Sequence, residues 1–381
     1  MTTTNTFKKI TKITAFAVIV SVLAVSCKKK DKEEDPTEEP TTYTVPSTYN
    51  FSSIDTIVPK QAIAMLGELT AYIRKTHVNT NVFTLDAQKL KDYYNNSNSP
   101  FSNALLNTSG FNLKNKTSNA FGLQAAFDSA FDDAVTASIN ANADYDSTTA
   151  SDGHSGKLVN GNRYILVDAN GFEYKEFVEK SIMGAVFYYQ ATTLLNTIAS
   201  FDNNTVNNGL TAQERAWDQA FAYFGVPVNF PANKTGLKNW GSYCNSVDVA
   251  TGSNSIIMNA FIKGRAAISN KDNAGRDEAR TIVVREWEKV CGAKFISYVK
   301  GAKANSTVPA TFNHNLSEGV GFIHSLKYNS AKTVSDVDID LLLSYFQTGK
   351  TVNLYKIIPG NLDNAINKMA SLFNIDPAKV P

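Results

Sequence analysis

Apolar side chains recur every three or four positions along most of the chain beyond residue 58. "VPKQAIAMLGELTAYIRKTH" (58–77) sets Ile63, Leu66, Leu69 and Ile73 on one stripe, with Pro59 near the first turn. That period predicts an amphipathic helix. "AFGLQAAFDSAFDDAVTASI" (120–139) repeats it with Leu123, Phe127, Phe131 and Val135. "EYKEFVEKSIMGAVFYYQATTLLNTIA" (173–199) is long enough for about seven helical turns. "LTAQERAWDQAFAYFG" (210–225) opens on a capping box, Thr211 with Glu214 three positions later, and meets stop signals at Gly225 and Pro227. The same pattern predicts helices over 255–269, 273–302, 314–327, 336–348 and 361–373, joined by short loops rich in Asn, Ser and Gly.

One stretch breaks the helical period. "GKLVNGNRYILVDANGFEY" carries β-branched and aromatic residues on both sides of Asn160-Gly161, a hairpin-turn signal. The expected fold class is therefore all-α, a helical bundle with one short β-hairpin near 157–167. "RAWDQAF" (215–221) and "REWEKVC" (285–291) share an Arg, a Trp and an acid, but no tandem repeat emerges.

The first 26 residues differ from the rest. Lys8, Lys9 and Lys12 precede the apolar run "ITAFAVIVSVLAV", which is short for a membrane span and ends at "LAVSC". That ending resembles a lipobox, with Ala24 three residues before the cysteine and Leu23 one place further back. The expectation is a lipoprotein signal peptide over 1–26 and lipidation of Cys27. "KKKDKEEDPTEEPTT" follows, charged and almost without apolar residues. Such a segment cannot bury enough surface to offset ordering entropy, so residues 27–49 are expected to form a disordered tether. A Lys followed by acids after the cysteine resembles the surface-export signal of Bacteroidetes lipoproteins. That resemblance implies an outer-membrane, lipid-anchored protein facing the cell exterior. Residues 50–381 are expected to form one helical domain.

The chain has 381 residues, 43% of them hydrophobic, and a net charge of +2. Without the three signal-region lysines, 34 basic side chains face 35 acidic ones. A neutral mature chain argues against nucleic acid, which calls for a clustered basic face. Beyond Cys27 only Cys244 and Cys291 remain. Two cysteines give no disulfide framework, and buried free thiols and a single bridge both stay open.

The stretch that looks most like a site is "SEGVGFIHSLKYN" (317–329). Imelysin-like proteins carry a GxHxxE motif whose His and Glu share a helix face and suit one metal ion. Here His324 follows "GFI", and Lys327 stands where the Glu would be. A cation at a ligand position breaks the motif, which favours a packed helix histidine. His314 and Glu318, four apart in "HNLSE", also share a helix face and are the metal candidates. They make half a site, and other ligands, such as Glu286 or Glu288, would have to come from elsewhere. The plainer reading makes Glu318 a charge at a helix N-terminus and His314 a surface residue. His77 and His154 fall in polar loops without acidic or thiol neighbours at ligand spacing. Trp217, Trp240 and Trp287 suit either a core or a cleft for a sugar or haem. No nucleophile elbow, phosphate-binding loop or dinucleotide fingerprint occurs.

Four stretches together resemble the DUF4856 family of Bacteroidetes lipoproteins. They are "YILVDANGFEYKEFVEKSIMGAVFYYQ" (164–190), "RAWDQAFAYFGVP" (215–227), "REWEKVCGAKFISYVKGA" (285–302) and "HNLSEGVGFIHSLKYN" (314–329). The family brings no catalytic residue to carry over, and the chain leans towards a non-enzymatic role. Its helical character is similar to that of imelysin-like proteins, which are associated with bacterial iron uptake. That resemblance implies a binding component of nutrient uptake with iron or haem as ligand. It also implies a TonB-type receptor or an imelysin-like protein as partner. A glycan-binding accessory lipoprotein is the alternative, and the broken motif disfavours a metallopeptidase.

Overall fold

The structure, a computed structural model, describes residues 43–77, 83–143, 150–161, 163–349 and 351–381. The expected signal peptide, the expected lipidation site Cys27 and the expected tether up to Thr42 lie outside the described residues. The described residues belong to one compact unit, Tyr43–Pro381. Its folded part begins before residue 50. Tyr49 is fully buried, stacks on Phe221 at 3.8 Å between ring centroids, and donates its hydroxyl to Asp218 at 2.6 Å. The Tyr43 hydroxyl donates to Asp272 at 2.9 Å.

The chain runs through α1 (Ile57–Ile73), α2 (Ala87–Asn95), α3 (Ala104–Asn107), α4 (Leu113–Lys116) and α5 (Leu123–Ala143) before the hairpin. After it come α6 (Tyr174–Ile182), α7 (Tyr189–Asn196), α8 (Ala212–Phe224), α9 (Asn239–Thr251) and α10 (Ser253–Ser269). The last four are α11 (Asn273–Ala304), α12 (Pro309–Leu326), α13 (Asp336–Ser344) and α14 (Pro359–Phe373). The mostly-α expectation holds. The hairpin stands where expected: β1 (Gly156–Asn160) pairs antiparallel with β2 (Arg163–Val167), Asn160 opposite Arg163. Gly161 takes φ +57° in its turn, a left-handed value that glycine tolerates. A second, smaller pair joins β3 (Gln347–Thr348) to β4 (Thr351–Val352).

Local chemistry sets several ends. Thr211 and Glu214 form the capping box of α8, and Gly225 closes it in the left-handed conformation. The long helix expected over 173–199 is interrupted: Met183–Tyr188 winds as a π-helix between α6 and α7. Such wide turns recur beside functional sites.

The core gathers on α11, which packs against α9, α10, α12 and α14, while α12 also packs on α6. Trp217, Trp240 and Trp287 are fully buried. The Trp217 indole N–H donates to the Phe261 carbonyl at 2.9 Å, and Trp287 packs edge-on against Phe224 and Trp240. All three are core residues, so they give no aromatic cleft for a sugar or haem. Cys244 and Cys291 are free and buried, and their thiols point to Asn254 Oδ1 and the Phe322 carbonyl. Among the described residues no helix is long and apolar enough to cross a membrane.

Candidate metal centre

Two helices build the site, and glycines decide how near they lie. A Cβ on Gly321 of α12 would fall 2.4 Å from the Lys180 Cβ of α6, and one on Gly184 would fall 2.9 Å from the Ser325 Cα. Neither position has room for a side chain. Two hydrogen bonds pin the start of α6 to α12. The Glu173 N–H donates to the Ser317 hydroxyl at 2.9 Å, and the Asn313 amide donates to the Gly171 carbonyl at 2.8 Å.

The i, i+3 spacing along α6 then aims Glu173, Glu176 and Glu179 at α12 and α1. His314 Nδ1 lies 2.8 Å from Glu173 Oε2 and 3.6 Å from Glu176 Oε1. Its Nε2 lies 3.5 Å from Glu318 Oε1. His77, at the end of the 3₁₀ turn following α1, brings Nε2 to 3.7 Å from Glu173 Oε1. Lys175 bridges Glu176 and Glu179 at 2.5 and 2.7 Å. Lys180 reaches Glu176, Glu179 and Glu318 at 3.1, 2.9 and 3.1 Å. Four carboxylates, two ammonium groups and two imidazoles thus share one interior site. Arg74 contacts Glu179 at 3.4 Å on the solvent side.

The charges are not evenly matched. Glu176 and Glu179 feel burial, which would raise their pKa, but Lys180 and Lys175 hold both below the ordinary glutamate value. Burial also opposes the charge on Lys180, yet Glu176, Glu179 and Glu318 keep it well above the ordinary lysine value. Glu173 is different. Burial and the neighbouring Glu176 push it up, against the opposing pull of His314, and its ion-pair partners are the two histidines. Burial would lower His314, but the Glu173 hydrogen bond and nearby carboxylates hold it above the ordinary histidine value. The Glu173 Oε1 atom is buried without a hydrogen bond, as are Glu176 Oε2 and Glu318 Oε2. The last two lie within ion-pair distance of Lys180 but outside hydrogen-bonding geometry.

Glu173, Glu176 and His314 each offer one ligand atom within 4.8 Å of the others. Ligand atoms about 2.1 Å from a shared first-row ion sit roughly 3–4 Å apart, close to the 2.8 and 3.6 Å that separate His314 Nδ1 from the two carboxylates. Imidazole with carboxylate is the donor set of iron, manganese or zinc. A dication there would take the place of the proton held between His314 and Glu173.

This geometry corrects several expectations. His314 and Glu318 do share a face, but Glu318 lies deep inside α12, which starts at Pro309, so it is no helix-end charge. His314 is largely buried rather than a surface residue. Glu286 and Glu288 do not complete the site. Glu286 accepts from the Ser253 hydroxyl, and Glu288 accepts from Asn329, Tyr188 and Thr333. Glu173, Glu176, Glu179, Lys175, Lys180 and His77 were missed. The available signal was three glutamates at i, i+3 spacing, interleaved with Lys175 and Lys180, in a helix flanked by apolar sequence.

His324 stands apart, on a cleft of about 440 Å³ with Asp133, Asp168, Tyr174, Phe177 and Tyr328. Burial, with Lys327 beside it, lowers its pKa to about 4, so it is neutral at pH 7. Its carboxylate neighbours are of the wrong sign for haem propionates. Lys327 pairs with Asp340 at 3.1 Å.

Fold and site define a mostly-α protein with a buried acid–histidine centre between two helices. The family described as Domain of unknown function (DUF4856) matches residues 40–376, and the chain belongs to that family. No curated protein and no solved structure matches it.

Proposed function

We propose that this chain is a lipid-anchored, non-enzymatic metal-binding protein. Its helical domain holds one divalent first-row ion on Glu173, Glu176 and His314, with His77 and Glu318 beside them. The observation that carries this reading is Glu173: a fully buried carboxylate with one oxygen unbonded and, among the described residues, only histidines as ion-pair partners. A buried charge of that kind is costly unless a cation neutralises it. Burial of both carboxylates, with His314 largely buried beside them, supports holding an ion over turning over a substrate. The lipobox-like "LAVSC" and the charged tether support anchoring through Cys27 at the outer membrane. Together with the imelysin-like helical character, they support a place in iron acquisition beside a TonB-type receptor. The donor set supports iron as an ion rather than as haem.

The test is metal analysis and calorimetric titration of the purified protein with Fe²⁺ (without oxygen), Mn²⁺ and Zn²⁺. One equivalent should bind to the wild type. Glu173→Gln and His314→Ala should each weaken binding at least about tenfold with circular dichroism unchanged, the loss expected from removing one ligand. A wild type that binds none of the three ions, or variants that bind as the wild type does, would refute the reading.

A further inference from the structure

The Lys180 ammonium is placed as a metal ion would be. Four oxygens surround it: Glu176 Oε2 at 3.1 Å, Glu179 Oε1 at 2.9 Å, Glu318 Oε2 at 3.1 Å and the Tyr243 hydroxyl at 2.5 Å. The side chain is only 1% exposed. The oxygens come from α6, α12 and α9, so the cage is assembled by tertiary packing rather than by one acidic run. Glu176 also belongs to the proposed ion site, so the cage and that site share a carboxylate.

We infer that the α6–α12 interface is a two-position cation centre in which the chain supplies one cation itself, the Lys180 ammonium. This deepens the metal reading by fixing its stoichiometry. Glu176 faces the exchangeable position with Oε1, which also accepts from Lys175, and the tethered cation with Oε2. With the second position filled, a second metal ion is excluded, and the centre is mononuclear. Three carboxylates around one ammonium leave charge for a dication in its place, because Lys175 neutralises only part of Glu176 and Glu179. Size then selects among hard cations. The nitrogen-to-oxygen distances of 2.5–3.1 Å are nearest to calcium–oxygen bonds of about 2.3–2.6 Å. Magnesium requires about 2.0–2.1 Å, so the cage would have to collapse around it.

The experiment replaces Lys180 with Ala in the full chain, which removes the charge and vacates the position for an ion and its waters. Lys180→Ala should gain one equivalent of Ca²⁺ binding that the wild type lacks, with Mg²⁺ at least tenfold weaker. Its melting temperature should rise on adding Ca²⁺. Adding Glu179→Gln to Lys180→Ala should weaken Ca²⁺ binding at least tenfold while easing folding without metal. A Lys180→Ala protein that folds and binds no Ca²⁺, or that stays unfolded at saturating Ca²⁺, overturns the inference. The two readings fail separately. A wild type that binds no transition ion removes the first site only. Ca²⁺ binding by Lys180→Ala does not depend on His314, so His314→Ala in that background should leave it within about threefold.

Discussion

His324 is a neutral imidazole on the wall of an aromatic cleft, and that state ties stability to pH. Burial and Lys327 hold its pKa at about 4 in the folded protein, against about 6.5 when unfolded. The folded state therefore disfavours the charged ring. This contribution is complete above about pH 6.5 and is lost as pH falls towards 4, because the unfolded chain takes up the proton first. The full window is worth on the order of 3 kcal/mol. Urea unfolding of the wild type and His324→Gln at pH 7 and 4.5 isolates it. The variant should lose less stability across that interval, and parallel losses would show that His324 is not held neutral. At this scale the sequence revealed half of the ion site. His314 and Glu318 are one helical turn apart, a spacing that periodicity exposes. Glu173 lies 141 positions from His314, and only the docking of α6 on α12 makes them neighbours. His77 was invisible for the same reason.

At the level of elements, the closeness of α6 and α12 depends on glycine. In an open helix position, Gly→Ala stabilises by about 0.5–1 kcal/mol. Gly67 is such a position: it is on α1 and a Cβ there meets nothing within 4 Å. Gly321→Ala should reverse the sign, because its Cβ would strike Lys180. Overpacking of this kind costs about 1–3 kcal/mol. Thermal melts of the two variants should therefore move in opposite directions, and two upward shifts would mean the interface is looser than described. Most helices were legible because their apolar stripes recur at the helical period. α2 and α9 were not. The α9 segment "NWGSYCNSVDVAT" is built from Gly, Asn, Ser and β-branched residues with poor intrinsic helix preference. Burial of Trp240, Cys244 and Val247 holds it in place. The π-helical turn likewise had no signature in the periodicity, since Met183–Tyr188 is apolar throughout its buried length.

Across the whole molecule, the anchor and the folded unit can be separated by experiment. Cys27→Ser is expected to abolish lipid labelling and shift the protein from the membrane pellet to the soluble fraction. Unchanged partitioning would end the lipoprotein proposal. Far-UV circular dichroism of the released protein should remain that of a helical fold, because the residues from Tyr43 onward form one compact unit with its own buried core. The buried ionic cluster has a further consequence, for how the chain finds its native arrangement. Apolar helix faces tolerate sliding, since one leucine contact resembles the next. Glu173, Glu176, Lys180, His314 and Glu318 do not. Displacing α6 by one turn along α12 would strand carboxylates from their cations inside the protein, and uncompensated buried charge costs several kcal/mol. The same residues that could hold an ion therefore act as a lock on helix register, rejecting misaligned dockings that hydrophobic burial alone would accept.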